Sequence, residues 1–328
     1  MVETECTYAR HLIFATDRQL ELLRNAKRWY GDATFGITPS PWYQVYSIHA
    51  FIRHGNLDTQ VPLVFVLMAR KRACDYRVVF THILDLLMVP AVEEFVMDFE
   101  AAVWQVCKSL MPHVKLMGCA FHIAQAKFKH LKELGLGPSY RTDSRVKTCC
   151  RQLLSLNLLP AEKIRKRFDK IKEQIEMEED LHDLLSFCIY VENTWINSSI
   201  WPPENWSMFM QMRRTNNHVE GFHNSLRVLV NSNSPNLVKF IGILRSEAES
   251  IDLQAKLLSQ NEALSNLRKD TLEMPHCLYT FWQDYNDQRI GSEKLLQLCA
   301  ALFAKHNRDK FRTLIDDQVY DDQSIESP

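Results

Sequence analysis

The sequence predicts an α/β protein, a mixed sheet flanked by helices, with an all-α insertion and a helical C-terminal extension. Three observations lead there. Between residues 29 and 134, strand-like and helical runs follow the order strand, strand, strand, helix, strand, helix, strand, helix. Residues 135–214 show helical periodicity and no convincing strand. Only 9 glycines and 12 prolines in 328 residues favour long regular elements over many tight turns.

Leu20, Leu23 and Ala26 recur at helical spacing and predict a short helix over 17–29. Strands are expected at 32–37, at 43–52 where aromatic and β-branched residues gather, and at 62–69, a continuous apolar run suited to burial on both faces. A helix over 74–88, a brief strand over 94–97 ending at Asp98, and a helix over 101–110 stopped by Pro112 come next, then a strand over 114–119 and a helix through Leu134. Pro202-Pro203 breaks the insertion near its end. Thr215, Asn216 or Asn217 can cap a helix whose early turns carry Glu220. Beyond it, 236–269 reads as one long amphipathic helix and 295–303 as another.

These elements divide into a helical lead-in (1–28), a first core part (29–134), the insertion (135–214), a core helix with the third acid (215–232), the helical extension (233–312) and a tail (313–328). The tail carries Asp316, Asp317, Asp321, Asp322 and Glu326 without a base and is expected to be disordered.

Apolar residues make up 46% and charged residues 24%, ordinary values for a globular protein. The sequence has no apolar run of the roughly 18 residues a membrane span needs, and its start lacks a basic then apolar leader, so an intracellular place is expected. Nine cysteines without regular spacing, two of them the adjacent Cys149 and Cys150, argue for reduced thiols. A net charge of −1 gives no reason by itself to propose a nucleic-acid partner. Residues 121–170 nevertheless hold twelve Lys/Arg against four acids, which suits either a phosphate-binding surface or a solvated helix face. Within that block, 163–167 reads as a nuclear import signal or as the exposed face of a helix that buries Ile164 and Phe168.

Three acids stand in recognisable words: Asp32 in Gly31-Asp32-Ala33-Thr34-Phe35, Asp98 in Val96-Met97-Asp98-Phe99-Glu100, and Glu220 in Arg214-Thr215-Asn216-Asn217-His218-Val219-Glu220-Gly221-Phe222-His223. The third is a long, low-entropy string. From about residue 15 into the helix after Glu220 the chain resembles the catalytic core of Mutator-like element (MULE) transposases, of the DDE, ribonuclease-H-like superfamily. Ala33 stands where that family leads one to expect glycine. There are 66 residues from Asp32 to Asp98 and 122 from Asp98 to Glu220, and the family carries its helical insertion in the longer interval.

The resemblance implies a ribonuclease-H-like sheet with Asp32 and Asp98 on adjacent central strands. It also implies DNA cleavage and strand transfer by the Asp32, Asp98 and Glu220 carboxylates holding two Mg²⁺ or Mn²⁺ ions. Asp32 would bridge the pair, with Asp98 on one ion and Glu220 on the other. The family has a Cys-x2-His pair where this chain has Cys119 and His122, so these and His223 are expected as accessories of the site. His218 and His223 could complete a four-ligand zinc site with that pair, but zinc is not expected. Arg213 and Arg214, with Asn216 and Asn217, are candidates for contact with substrate DNA. Trp195, Trp201 and Trp206 either stack on an unpaired base or pack the insertion, and packing is the expectation.

The implied partners are transposon ends and target DNA, a second copy of the chain, and a separate DNA-binding module, since no Cys/His framework precedes Asp32; no membrane partner is implied, and the nucleus is the expected place. A domesticated or truncated derivative that binds DNA or protein without catalysis is the alternative.

Overall fold

The computed structural model describes residues 10–54, 57–211, 217–232, 235–259 and 269–307. They fall into two compact units, Met1–Phe121 with Thr215–Asn266, and His122–Arg214 with Leu267–Pro328.

The first unit is built on one mixed sheet of six strands: β1 (His11–Phe14), β2 (Arg28–Phe35), β3 (Gln44–His54), β4 (Leu57–Met68), β5 (Glu94–Met97) and β6 (Lys115–Gly118). Their spatial order is β1-β4-β3-β2-β5-β6. The pairings β1–β4, β3–β4 and β2–β3 are antiparallel, whereas β2–β5 and β5–β6 are parallel. Parallel neighbours need crossovers, which α2 (Ala73–Leu87) and α3 (Ala101–Leu110) supply. The apolar run of β4 is buried on both faces, with Val61 and Leu63 through Met68 all nearly inaccessible.

Strand alternation sorts the two faces. Tyr46 turns toward Tyr76 and Phe80 of α2. Its strand neighbour Val45 joins Phe65 and Leu67 in a core with Leu226 and Val230 of α10 (Asn217–Val230) and Phe240 and Leu244 of α11 (Leu237–Ser259). The helix α1 (Asp17–Asn25) starts at Thr16, whose side chain and that of Gln19 bond each other's backbone N–H groups as a capping box. Gln19 also donates to the Pro62 carbonyl at 3.1 Å, tying this helix to β4.

Several boundaries differ from expectation. The lead-in, expected to be helical over 1–28, contributes the edge strand β1, paired from His11↔Met68 to Phe14↔Phe65. Four residues are too few to show a period, and the outer edge of β4 supplies the backbone partners. The helix expected over 17–29 stops at Asn25, because Trp29 is a wholly buried residue of β2. That strand begins at Arg28, which places Asp32 in mid-strand. The helix expected over 236–269 is described to Ser259, and a further helix, α12 (Lys269–Asn286), was not expected. Residues 1–9 and the tail expected to be disordered, 313–328, lie outside the described residues.

The second unit has no strand among its described residues. Besides α12 it holds α4 (Ala120–Glu133, begun in the first unit), α5 (Gly137–Thr142), α6 (Ser144–Ser155), α7 (Ala161–Met177), α8 (Leu185–Val191), α9 (Pro203–Trp206) and α13 (Ser292–His306). Its core joins Leu153 and Leu154 of α6, Ile164 and Phe168 of α7, and Leu295 and Cys299 of α13. Trp195 and Trp206 are buried, and Trp206 donates to the Trp195 carbonyl, so both pack the unit. Part of the basic block is drawn into ion pairs, among them Arg145 with Asp143 and Glu178, Arg165 with Asp169, and Arg167 with Glu293.

Seven described cysteines are free thiols, whereas Cys74 is disulfide-bonded, against the expectation of reduced thiols throughout. Among the described residues no helix is long and apolar enough to cross a membrane.

Candidate functional site

The three acids come from three elements of the first unit. The parallel register Gly31↔Met97 sets Asp32 of β2 beside Asp98, the residue that follows β5. A carboxylate oxygen of Asp32 and one of Asp98 lie within 4.8 Å of each other. Glu220 sits in the first turn of α10, a helix anchored to the sheet by the buried Val219, Leu226 and Val230. Its charge reaches Asp98.

Packing fixes Asp98. The next side chain, Phe99, stacks on Trp104 at 6.0 Å, and the Trp104 indole donates to the Asp98 carbonyl. This stack needs Gly118 at the end of β6, because a Cβ there would fall 2.0 Å from the Phe99 ring. Gly31 is under a similar demand, since a Cβ would meet the Tyr46 hydroxyl at 2.3 Å and the Phe95 ring at 2.8 Å.

Asp32 is almost wholly buried and belongs to a chain of polar groups that the sequence only partly disclosed. His223, one turn after Glu220, places Nδ1 3.4 Å from Asp32 Oδ2. On its other side Nε2 meets Ser47 Oγ at 3.0 Å, and Ser47 Oγ meets His49 Nε2 at 2.8 Å. Ser47 is the cross-strand partner of Asp32. With Asp32 ionised, one proton order satisfies every group: His49 Nε2–H to Ser47, Ser47 O–H to His223, His223 Nδ1–H to Asp32. Burial, and then the neighbouring His223, hold His49 well below the ordinary histidine pKa, so its ring is neutral at pH 7.

Asp32, His223 and Ser47 are the residue types of a nucleophilic triad. Ser47 is inaccessible, however, and its oxygen is engaged by both histidines, so no substrate carbonyl can approach it.

Negative charge dominates the cluster. Asp98 is held well above the usual carboxylate range, first by burial, then by the charge of Asp32, a hydrogen bond with the Asp32 carboxyl, and the charges of Glu220 and Glu100. Glu100 accepts from the Tyr76 hydroxyl at 2.9 Å, which turns it toward α2.

Cys119 is buried, its backbone N–H donates to the Met97 carbonyl, and its Sγ lies within 4.8 Å of a Glu220 carboxylate oxygen. His122 lies in the first turn of α4, where the second unit begins. Asn217 begins α10, but its side chain lies outside the described residues, as do Arg213, Arg214 and Asn216 entirely. The structure thus brings together Asp32, Asp98, Glu220, Cys119 and His223. Ser47 and His49 were missed; their signal was a pair of polar residues two apart inside an apolar strand.

Neither known protein families nor curated proteins gave a match to the chain.

Proposed function

We propose that the protein is the catalytic domain of a MULE-type DDE transposase with a ribonuclease-H-like sheet, working on DNA in the nucleus. The observation that carries this reading is the meeting of Asp32, Asp98 and Glu220, drawn from positions far apart in the chain, at one place in the first unit.

The residues fit a pair of hard divalent cations. Oxygen donors predominate, and burial and the crowding of the carboxylates hold Asp98 well above the usual carboxylate range, a cost that a bound cation would offset. Asp32, Asp98 and Glu220 would hold Mg²⁺ or Mn²⁺. Bound there, the cations would make a water or a 3′-hydroxyl nucleophilic and stabilise the leaving oxygen of a phosphodiester. His223 keeps the Asp32 carboxylate turned in one direction, the Phe99–Trp104 stack holds the Asp98 backbone, and α10 presents Glu220 from a rigid helix.

The test is Mn²⁺-dependent nicking of supercoiled plasmid by wild type beside Asp32→Asn, Asp98→Asn and Glu220→Gln. Each variant is expected to lose more than about 100-fold, the scale of removing one electrostatic partner from such chemistry. Undiminished nicking by a variant removes that residue from the assignment. A folded wild type that binds DNA in a salt-dependent way without nicking it would instead favour a domesticated binder.

A further inference from the structure

Phe35 and Tyr43 are large rings left in solvent, 41% and 51% exposed. Phe35 ends β2, three residues beyond Asp32, and Tyr43 immediately precedes β3. The rings meet edge to face, with centroids 5.4 Å apart. Lys71 holds its ammonium 5.7 Å from the centre of one and 6.0 Å from the other. Arg70 beside it is exposed.

This group is held by the ends of three strands. The Tyr43 backbone N–H donates to the Met68 carbonyl at 2.8 Å, fixing the ring against the end of β4, and Lys71 follows three residues later. The loop between the rings is pinned from within, because the Thr38 hydroxyl donates to the Trp42 carbonyl and the Trp42 N–H to the Pro39 carbonyl. Two aromatic faces and a cation on a rigid support lose little entropy when a flat, anionic ligand arrives.

The position connects the group with the acids. Three residues of extended strand put the Phe35 Cα about 10 Å from that of Asp32, and the odd spacing assigns the two side chains to opposite faces of β2 at the same end of the sheet. Lys71 lies within charge reach of Glu100, where burial raises the carboxyl and the Tyr76 hydrogen bond and the Lys71 charge counter it. Glu100 in turn acts on Asp98.

We propose that Phe35, Tyr43 and Lys71 form a platform for an unpaired nucleotide of a DNA strand, the rings stacking on the base and Lys71, with Arg70, meeting the adjoining phosphate. Every base has a π-face, so the platform would select a single-stranded or frayed end over closed duplex, without strong sequence preference. The choice of DNA as ligand rests on the nuclease reading above, which it deepens by adding a strand-holding surface beyond the carboxylates, at the end of β2.

The test is fluorescence anisotropy of a labelled single-stranded 12-mer in EDTA, with a blunt duplex of the same sequence in parallel. A second single strand with 2-aminopurine reports stacking directly. Phe35→Ala and Tyr43→Ala are each expected to weaken single-strand binding by about 5- to 150-fold and to relieve the 2-aminopurine quench, while Tyr43→Trp retains both. Lys71→Ala should lower affinity and reduce the dependence on log salt by about 0.7. Duplex binding should change less. Wild-type affinity in both alanine variants, or no single-strand binding by wild type, overturns the platform. Metal is absent, so the two readings fail separately: platform-dependent binding in a protein that never nicks plasmid would leave the platform standing and remove the nuclease.

Discussion

Ser47 is the most constrained polar residue of the site, because its hydroxyl is the shared partner of two buried imidazoles. Replacing it by alanine leaves Nε2 of His49 and of His223 facing each other across a dry gap. The expected cost is about 1–3 kcal/mol for leaving buried polar groups unmatched, read as a lower urea midpoint with an unchanged slope. An unchanged midpoint would mean that water or a rearranged ring replaces the hydroxyl. Gly118→Ala acts through packing instead, since its Cβ would displace the Phe99 ring from Trp104. A loss of about 1–3 kcal/mol is expected, together with weaker nicking as the Asp98 backbone shifts. The carboxylates were legible in the sequence because motif neighbourhoods marked them, and His223 because it lies in the same string as Glu220. Ser47 and His49 were not, since they become neighbours of Asp32 only through the antiparallel register of β2 and β3, and register is decided by the whole sheet.

Among the elements, α4 carries the least comfortable residue of the second unit. Lys127 is wholly buried, donates to the Leu153 carbonyl at 3.1 Å and lies 5.3 Å from the centre of the Trp206 ring. Burial pulls its pKa down to about 7. A base whose folded pKa lies below its unfolded 10.5 binds fewer protons when folded, so between about pH 7 and 10.5 stability rises with pH, at roughly 1.4 kcal/mol per unit at most. Lys127→Met should raise the melting temperature at pH 7 and flatten that rise; a variant melting lower would show that the amine's hydrogen bond outweighs its desolvation. Before folding, Lys127 looked like one more member of a basic surface, because charge counts do not say which side of a helix meets the core. Elements with strong period or abrupt stops, such as β5 and α3, matched expectation residue for residue. β1 did not, because it pairs only with the outer edge of β4 and its place is set by that partner rather than by its own sequence.

For the whole molecule, the gathering of carboxylates sets stability against metal binding. The folded-state pKa of Asp98 lies well above its ordinary 3.8. A group raised in this sense stabilises the fold fully below pH 3.8, and the contribution is lost as pH rises through the folded-state value. Near pH 7 the metal-free protein has therefore lost that contribution and bears the cost of gathering Asp98 with Asp32, Glu220 and Glu100. A cation that binds only the folded state offsets it and adds RT ln(1 + [L]/Kd). Two results are expected from melting curves at pH 7. Without metal, Asp98→Asn should melt higher than wild type, by about 2–4 °C for each kcal/mol of repulsion removed. With millimolar Mn²⁺ the order should reverse, as wild type gains and the variant gains little. The same crowding that disfavours the empty fold thus provides the affinity, and one substitution trades the first for the second. If Asp98→Asn melts lower than wild type with and without Mn²⁺, Asp98 serves the fold through its hydrogen bond with Asp32, and the metal assignment loses its electrostatic support.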